Sequence, residues 1–348
     1  MSATRTQAGG GRQQPPPFPP SASLDGRADA FAASLMQRAG PSADALRSLL
    51  VVAGVMDRQG RMCPRNSTAS RLNSNGAPLQ MCLTTPADRD AQTETRLLID
   101  PFFDRPATQR IAESLALAVD LARHAGLDLP LSHLGPMAAL PGVGAVWLAL
   151  PLTHRGRPLP NPAAAGLAAY LNPEVFGYAP WPDTVSRLDA LLPASARRAA
   201  LLDRAADMAT PVCVALEAGK GRALRVKLYL RATGGDLGAL LSELNAGQRP
   251  KGPLHILAPR APWPATGVTL GLSFCPESGA VDGAKLDLCL CPDCRAAAGV
   301  AGGIRQRLGD LIPRAAMPEN ADLALLGFAG GGKGGRMNAY FAPCDAPC

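Results

Sequence analysis

Aromatic side chains are scarce: they make up 4% of the 348 residues, with only four tyrosines and three tryptophans. No Lys/Arg run compensates for them, which argues against an extended nucleic-acid surface. The net charge of +7 still leaves room for a small anionic ligand. The four histidines, His124, His133, His154 and His255, form no spaced pair on a helix, so a histidine-based metal site is not expected. An Asp-rich D-D-x-x-D run is also missing, which argues against magnesium-dependent ionisation of the helical terpene-synthase kind. No apolar run reaches the ~18 residues needed to cross a bilayer, and the first residues lack the apolar stretch of a secretory signal. Charged residues are few at 18%, whereas the 47% of hydrophobic residues is ordinary for a globular core.

Cysteine is neither absent nor paired. Nine is an odd number, most sit in apolar strand-like runs, and reduced thiols in a cytoplasm are expected. Only Cys291 and Cys294 form a C-x2-C unit, and no second unit follows at zinc spacing, so no metal site is expected. Residues 1–21, rich in Pro, Gly and Gln, read as a disordered tail. Residues 22–343 read as one domain, followed by a short tail at 344–348.

What the chain does have is a peculiar kind of strand. In "RVKLYLR" (225–231), Val226, Leu228 and Leu230 share one face. Arg225, Lys227, Tyr229 and Arg231 share the other, with no acid on the strand to balance them. The same plan recurs. "GRMNAYFAP" sets Arg336, Asn338 and Tyr340 on one face, "AKLDLCLCP" sets Lys285, Asp287 and Cys289, "GLAAYLNP" sets Ala168, Tyr170 and Asn172, and "ETRLLIDP" presents Arg96. Four of these five runs stop at a proline, which cannot continue a ladder. Each follows an apolar partner: "APLQMCLTT", "GAVWLALPLT", "PVCVALEA", "GVTLGLSF" and "LALLGFA". Glycine-rich links such as "PESGAVDG" and "GGGKGG" make each pair a hairpin.

Between the hairpins the pattern turns helical, clearest in "RPATQRIAESLALAVDLARHAG", with Gly126 as a stop and Thr184 and Asp236 as N-caps of later helices. Further helical stretches are "DLGALLSELNAG" and "AGGIRQRLGDLI", and two more precede the first hairpin. Five ααββ repeats give an α+β fold, a ten-stranded antiparallel barrel ringed by helices, which removes all sheet edges. The apolar faces then pack on the helices. Arg96, Tyr170, Arg225, Lys227, Tyr229, Lys285, Arg336 and Tyr340 point into a lumen, kept open by Ala149, Ala215 and Gly271. Three of the four tyrosines fall on that inward face.

This order of basic-x-Tyr hairpins resembles the ABBA-type aromatic prenyltransferases, the dimethylallyltryptophan synthase and cyanobactin peptide prenyltransferase superfamily. The resemblance covers roughly residues 30–343 and lies in order and spacing, not in any one motif. It implies a prenyltransferase (PT) barrel that moves a dimethylallyl or geranyl group from its diphosphate to a nucleophilic acceptor. The acceptor would be an indole or phenol, free or in a peptide, and no cofactor beyond an optional magnesium ion is implied. Arg96, Arg225, Lys227, Lys285 and Arg336 would hold the diphosphate, whose roughly three charges need cations in a low-dielectric cavity. Tyr170, Tyr229 and Tyr340 would shield the allyl cation, at roughly 1–2 kcal/mol per desolvated contact. Gln80 stands where the family carries a glutamate that accepts or orients the acceptor proton. Glutamine orients an N–H through its carbonyl oxygen but is a poor base, which leaves Asp287 or Glu217 as alternatives. Trp147 and Asp287 would line the acceptor pocket. The third hairpin matches the family's Arg-x-Lys-x-Tyr in full, whereas the second has Ala168 where a lysine is usual.

Two other readings are weighed on the same residues. A degenerate, non-catalytic barrel that binds a phosphorylated or hydrophobic small molecule would explain Gln80 and Ala168. "GFAGGGKGG" approaches a phosphate-loop pattern at Lys333, but Gly334 follows where Ser or Thr belongs and a strand pattern follows where a helix belongs. It reads as a hairpin loop. No membrane and no nucleic-acid partner is expected.

Overall fold

The alternation read from the sequence closes on itself. The computed structural model describes residues 26–63, 70, 72–73, 77–86, 93–127, 129, 143–154, 157–159, 166–173, 181–219, 222–232, 268–289, 318, 321–329 and 336–343. The helices are α1 (Gly26–Ala39), α2 (Ala43–Val52), α3 (Ala107–Ala125), α4 (Trp181–Leu191) and α5 (Ala196–Ala206). The barrel strands are β1 (Leu79–Pro86), β2 (Glu94–Ile99), β3 (Val143–Pro151), β6 (Leu167–Pro173), β7 (Ala209–Gly219), β8 (Arg222–Ala232), β9 (Val268–Phe274), β10 (Val281–Cys289), β11 (Ala321–Ala329) and β12 (Arg336–Pro343). They form one closed barrel in the order β1-β12-β11-β10-β9-β8-β7-β6-β3-β2. Two short strands, β4 (Thr153–His154) and β5 (Arg157–Pro158), pair outside it.

All neighbours in the barrel are antiparallel. The five expected hairpins are present, and the antiparallel order has a geometric consequence. The strand ends joined within hairpins therefore gather at one mouth, and the strand ends that lead into the longer connections lie at the opposite one.

Period-2 alternation divides the side chains cleanly. Outward residues such as Leu97, Leu148, Val226, Leu228, Leu272 and Phe341 join α1, α2, α3 and α5 in one buried cluster. The inward faces form separate, smaller clusters around Cys82, Leu98, Ala149 and Ala168, and around Cys213, Ala215 and Tyr229. Helix α3 buries Arg110, Ser114, Ala118 and Ala122, every fourth residue, so its small face lies close against the barrel. Its start is clamped: Arg110 Nη2 donates to both Asp100 oxygens at 2.5 and 2.6 Å, and Ser70 Oγ donates to the same carboxylate. It ends at Gly126 with φ 64°, the left-handed stop expected there.

One expected cap is displaced. Helix α4 begins at Trp181, so Thr184 lies inside its first turn and is buried. The N-cap of the following helix is Ser195, which accepts from the Arg198 N–H after the link through Pro193. Among the described residues no helix is long and apolar enough to cross a membrane. The expected tails, the stretches at 236–247 and 301–312, Lys333, His133, His255, Cys291 and Cys294 lie outside the described residues. The strand β12 that follows "GFAGGGKGG" pairs with β11, so this segment links a hairpin and not a strand to a helix, which removes the phosphate-loop reading.

Candidate active site

The inward residues arrange themselves along the barrel axis. Arg96, Arg225 and Arg336 sit near the hairpin ends of β2, β8 and β12 and line one cavity with Glu94, Thr153, Ala168 and Glu217. Lys227 comes two residues deeper on β8, then Tyr229, which meets Tyr170 at 5.8 Å between ring centroids, tilted by 47°. The third tyrosine, Tyr340, is inward on β12, between Cys82 and Leu325 of the flanking strands. Its place on the lumen wall is shared with Trp147, Tyr170, Cys82 and Leu98.

The cations are not unbalanced, as strand β8 alone suggested. Glu217 on β7 receives three of them: Lys227 Nζ at 2.7 Å, Arg96 Nη1 at 3.1 Å and Arg225 Nη1 at 3.7 Å. Arg225 is its direct cross-strand neighbour, and Ala168 is the neighbour on the other side. Arg96 reaches Glu217 from three strands away, over Ala149 and Ala168. Those two methyl groups keep the wall low; a lysine at 168 would stand in the path of the guanidinium. The sequence already pointed to Glu217 as an alternative base, but its partners exclude that role. Burial alone would raise its pKa, yet Lys227, Arg96 and Arg225 outweigh burial and hold the carboxyl well below the usual range. Lys227 moves the other way: desolvation lowers it to about 8, although Glu217 opposes the shift.

Lys285 is engaged elsewhere. Its ammonium lies 2.7 Å from Asp287 and donates to the Tyr340 hydroxyl at 2.6 Å. Backbone space makes this possible. A Cβ on Gly327, the residue opposite Asp287, would collide with the Asp287 carboxylate and approach Lys285 Cε to 2.7 Å. Gly271 plays the same part for Tyr229, whose ring edge would lie 3.1 Å from a Cβ there. The lumen is therefore kept open at the expected Gly271 and also at Gly327. Burial pushes the hydroxyls of Tyr170, Tyr229 and Tyr340 well above the ordinary range, so all three remain neutral phenols.

Gln80 faces the lumen near the start of β1 and is buried. Asn73 donates from Nδ2 to the carbonyls of Ala77 and Leu79, which turns its Oδ1 toward Gln80. Gln80 Nε2 donates to that oxygen at 3.0 Å, so the acceptor end of Gln80 is the part available to a ligand. Asn73 is a partner that periodicity could not reveal, because it precedes the strand. Gln80→Glu places a carboxylate against an oxygen acceptor. The expected result is a carboxyl pKa raised in the folded state, so stability is retained at low pH and lost as pH rises through it. Thermal unfolding at pH 5 and pH 8 checks this: the variant should fall behind the parent by about 1–3 kcal/mol only at the higher pH.

Trp147 lies beside Tyr170 on the inward face, and its Nε1 is buried without a partner among the described residues. Cys82 and Cys213 also face inward, both thiols held up by burial. His124 is exposed on α3, away from the lumen.

No protein-family model matches the sequence, and no curated protein matches it. Solved structures do match. The 5-dimethylallyltryptophan synthase from Streptomyces coelicolor is 18% identical with a TM-score of 0.63, over 93% of this chain and 99% of that one. The 6-dimethylallyltryptophan synthase from Micromonospora olivasterospora, in complex with DMASPP and Trp, is 18% identical with a TM-score of 0.61, over 92% of this chain and 98% of that one. AnaPT from Neosartorya fischeri is 13% identical with a TM-score of 0.53, over 90% and 92%. At such identities the likeness is one of fold: the same ten-stranded barrel, end to end.

Proposed function

We propose that this chain, whose barrel is that of the ABBA-type aromatic prenyltransferases, transfers a dimethylallyl or geranyl group from its diphosphate to an aromatic acceptor. One observation carries the reading: cations converge at one end of a closed lumen, directly above a layer of buried, neutral tyrosines. The Streptomyces enzyme of the same fold has also been crystallised with DMASPP and Trp.

Arg96, Arg225, Lys227 and Arg336 surround the place for the diphosphate. As the carbon–oxygen bond breaks, negative charge grows on the leaving group, and cations already in position stabilise it without reorganisation. A diphosphate of about three charges can be neutralised by these four groups, so its binding requires no divalent ion. The allyl cation left behind meets the faces of Tyr170, Tyr229 and Tyr340, which exclude water. Lys285 and Asp287 hold Tyr340 in place through the ammonium-to-phenol hydrogen bond. The acceptor lies toward Gln80, whose carbonyl oxygen receives an N–H or O–H and orients the ring for attack on the cation.

The test measures diphosphate release and product mass with dimethylallyl and geranyl diphosphate, against tryptophan, tyrosine and aromatic peptides, with and without a chelator. Transfer of an isoprenoid unit that survives chelation supports the reading. Tight donor binding with neither release nor transfer would favour the non-catalytic barrel instead, for which Gln80 and Ala168 speak.

The burial of Lys227 adds a pH signature. Its amine loses a proton near pH 8 in the empty protein, so donor capture weakens as pH rises past that value. A profile of kcat/KM for the donor should therefore show a falling alkaline limb near 8. In Lys227→Arg, where the guanidinium stays charged, that limb should disappear from the measurable range.

A further inference from the structure

The cavity at the hairpin mouth holds an anion where prenyl transfer calls for cations. Glu217 lies on the inward face of β7 and shares that cavity with Arg96, Arg225 and Arg336. Its Oε1 accepts from Arg96, and its Oε2 faces Lys227 and Arg225. Among the described residues Glu94 of β2 is the other carboxylate on the cavity wall, and Tyr170 of β6 and Tyr229 of β8 are the phenols within electrostatic reach below.

A diphosphate entering this cavity takes the same cations, and Glu217 has to respond. It cannot withdraw. Its backbone is fixed in the barrel wall between Ala168 of β6 and Arg225 of β8, and no rotamer of an inward residue leaves a closed lumen. Staying ionised would hold a carboxylate against a diphosphate of about three negative charges, with little water to screen them, since the Glu217 side chain is 18% exposed. Once the cations have turned to the ligand, burial is the main influence left on the carboxyl, and burial favours the neutral acid. A neutral carboxyl is a hydrogen-bond donor, and the anion that displaced it lies beside it.

We infer that Glu217 takes up a proton as the diphosphate displaces it from its cations, and passes that proton to the diphosphate as the donor ionises. When the carbon–oxygen bond breaks, its electron pair leaves with the diphosphate oxygen and the carboxyl proton goes to a diphosphate oxygen. The products of the step are the allyl cation, a protonated diphosphate and the Glu217 carboxylate. The proton that the acceptor sheds on bond formation leaves to water, so one proton enters and one leaves in each turnover. The restored carboxylate then competes for the cations again, which favours departure of the diphosphate. The catalytic half of the inference rests on the prenyl-transfer reading; the proton uptake is measurable with pyrophosphate alone.

Two measurements on the full chain decide it. In the first, inorganic pyrophosphate is titrated calorimetrically at pH 7 in two buffers of different ionisation enthalpy, which counts the protons taken up on binding. Lys227, at about 8, is already mostly charged there, and the titration of pyrophosphate itself is common to parent and variants. The parent should take up about one proton more than Glu217→Gln. Ala168→Lys keeps the carboxylate but gives it a cation directly across the strand, and should lose the extra uptake as well. In the second, diphosphate release from bound dimethylallyl diphosphate is followed through a single turnover. Glu217→Gln should bind the donor more tightly yet release diphosphate about 10²-fold more slowly, the contribution of a positioned acid. A merely structural carboxylate would not split binding from rate in this way. Extra uptake in the parent that is absent from both variants, with the slower release, supports the inference. Equal uptake in the parent and either variant, or release by Glu217→Gln as fast as the parent's, overturns it. Extra uptake in a parent that transfers no prenyl group upholds the proton exchange and removes the prenyl-transfer reading alone.

Discussion

Lys227→Ala is expected to reduce prenyl transfer by about 10²–10³-fold, the cost of removing one preorganised donor from a developing anion. The magnitude follows from position. Lys227 stands between Arg225 at the rim and Tyr229 in the aromatic layer, and its side chain is only 12% exposed, against 39% for Arg225. Its charge therefore acts through protein and not through water, where the same pair would be worth far less. The arginines at the rim remain to bind the donor, so the loss should appear in kcat more than in donor KM. Stability should hardly change, because Glu217 keeps Arg96 and Arg225 as partners and the variant removes a cation whose burial is itself unfavourable. Single-turnover rates with equal melting temperatures are the check. A rate within about threefold of the parent would place ionisation elsewhere in the barrel.

Glu217→Gln should move stability and affinity in opposite directions. In the empty protein this carboxylate neutralises Lys227, Arg96 and Arg225 together, and removing it leaves three cations facing one another. Breaking such a buried pair costs about 3–5 kcal/mol. The contribution has a defined pH window. A carboxyl held below its ordinary value stabilises the fold above the unfolded-state value and loses that effect as acid protonates it. The variant should accordingly lack the parent's stability loss on acidification. Inorganic diphosphate, however, no longer has to share its cations with an internal anion. Two like charges about 4 Å apart repel by about 4 kcal/mol at an effective dielectric of 20, so affinity should rise at least about tenfold. Ala168→Lys offers the companion case: a lysine directly opposite Glu217 supplies a dedicated partner and releases the others, so affinity should rise without the loss of stability. Calorimetric titration with pyrophosphate, paired with thermal unfolding, reads both quantities. A variant that loses stability and affinity together would make Glu217 a structural group and nothing more.

The barrel was legible because its signal is local. Alternation along seven or eight residues, a terminal proline and a glycine-rich link are each visible within one hairpin, and five hairpins in a row leave little choice of topology. The inward cations and tyrosines were legible for the same reason. What escaped was whatever depends on register between distant strands. The pairing of Glu217 with Arg96 needs β2 and β7 to lie three strands apart with the small side chains of Ala149 and Ala168 on the intervening wall. The grip of Asn73 on Gln80 depends on an irregular segment before β1. Thr184 looked like a cap because its hydroxyl suits one, but Trp181 starts the helix a turn earlier and donates its indole N–H to the Ala209 carbonyl.

A lumen assembled from five copies of one hairpin also has redundancy. Each unit contributes its own side chains to a shared interior, as members of a committee contribute votes. The second unit carries alanine at 168, yet the other four units supply cations, and the low wall there is the passage through which Arg96 reaches across. Such a pocket is altered by drift one seat at a time, and no single loss dissolves it. That is how a chain can differ from the solved structures it resembles in more than four residues of every five and still enclose the same space.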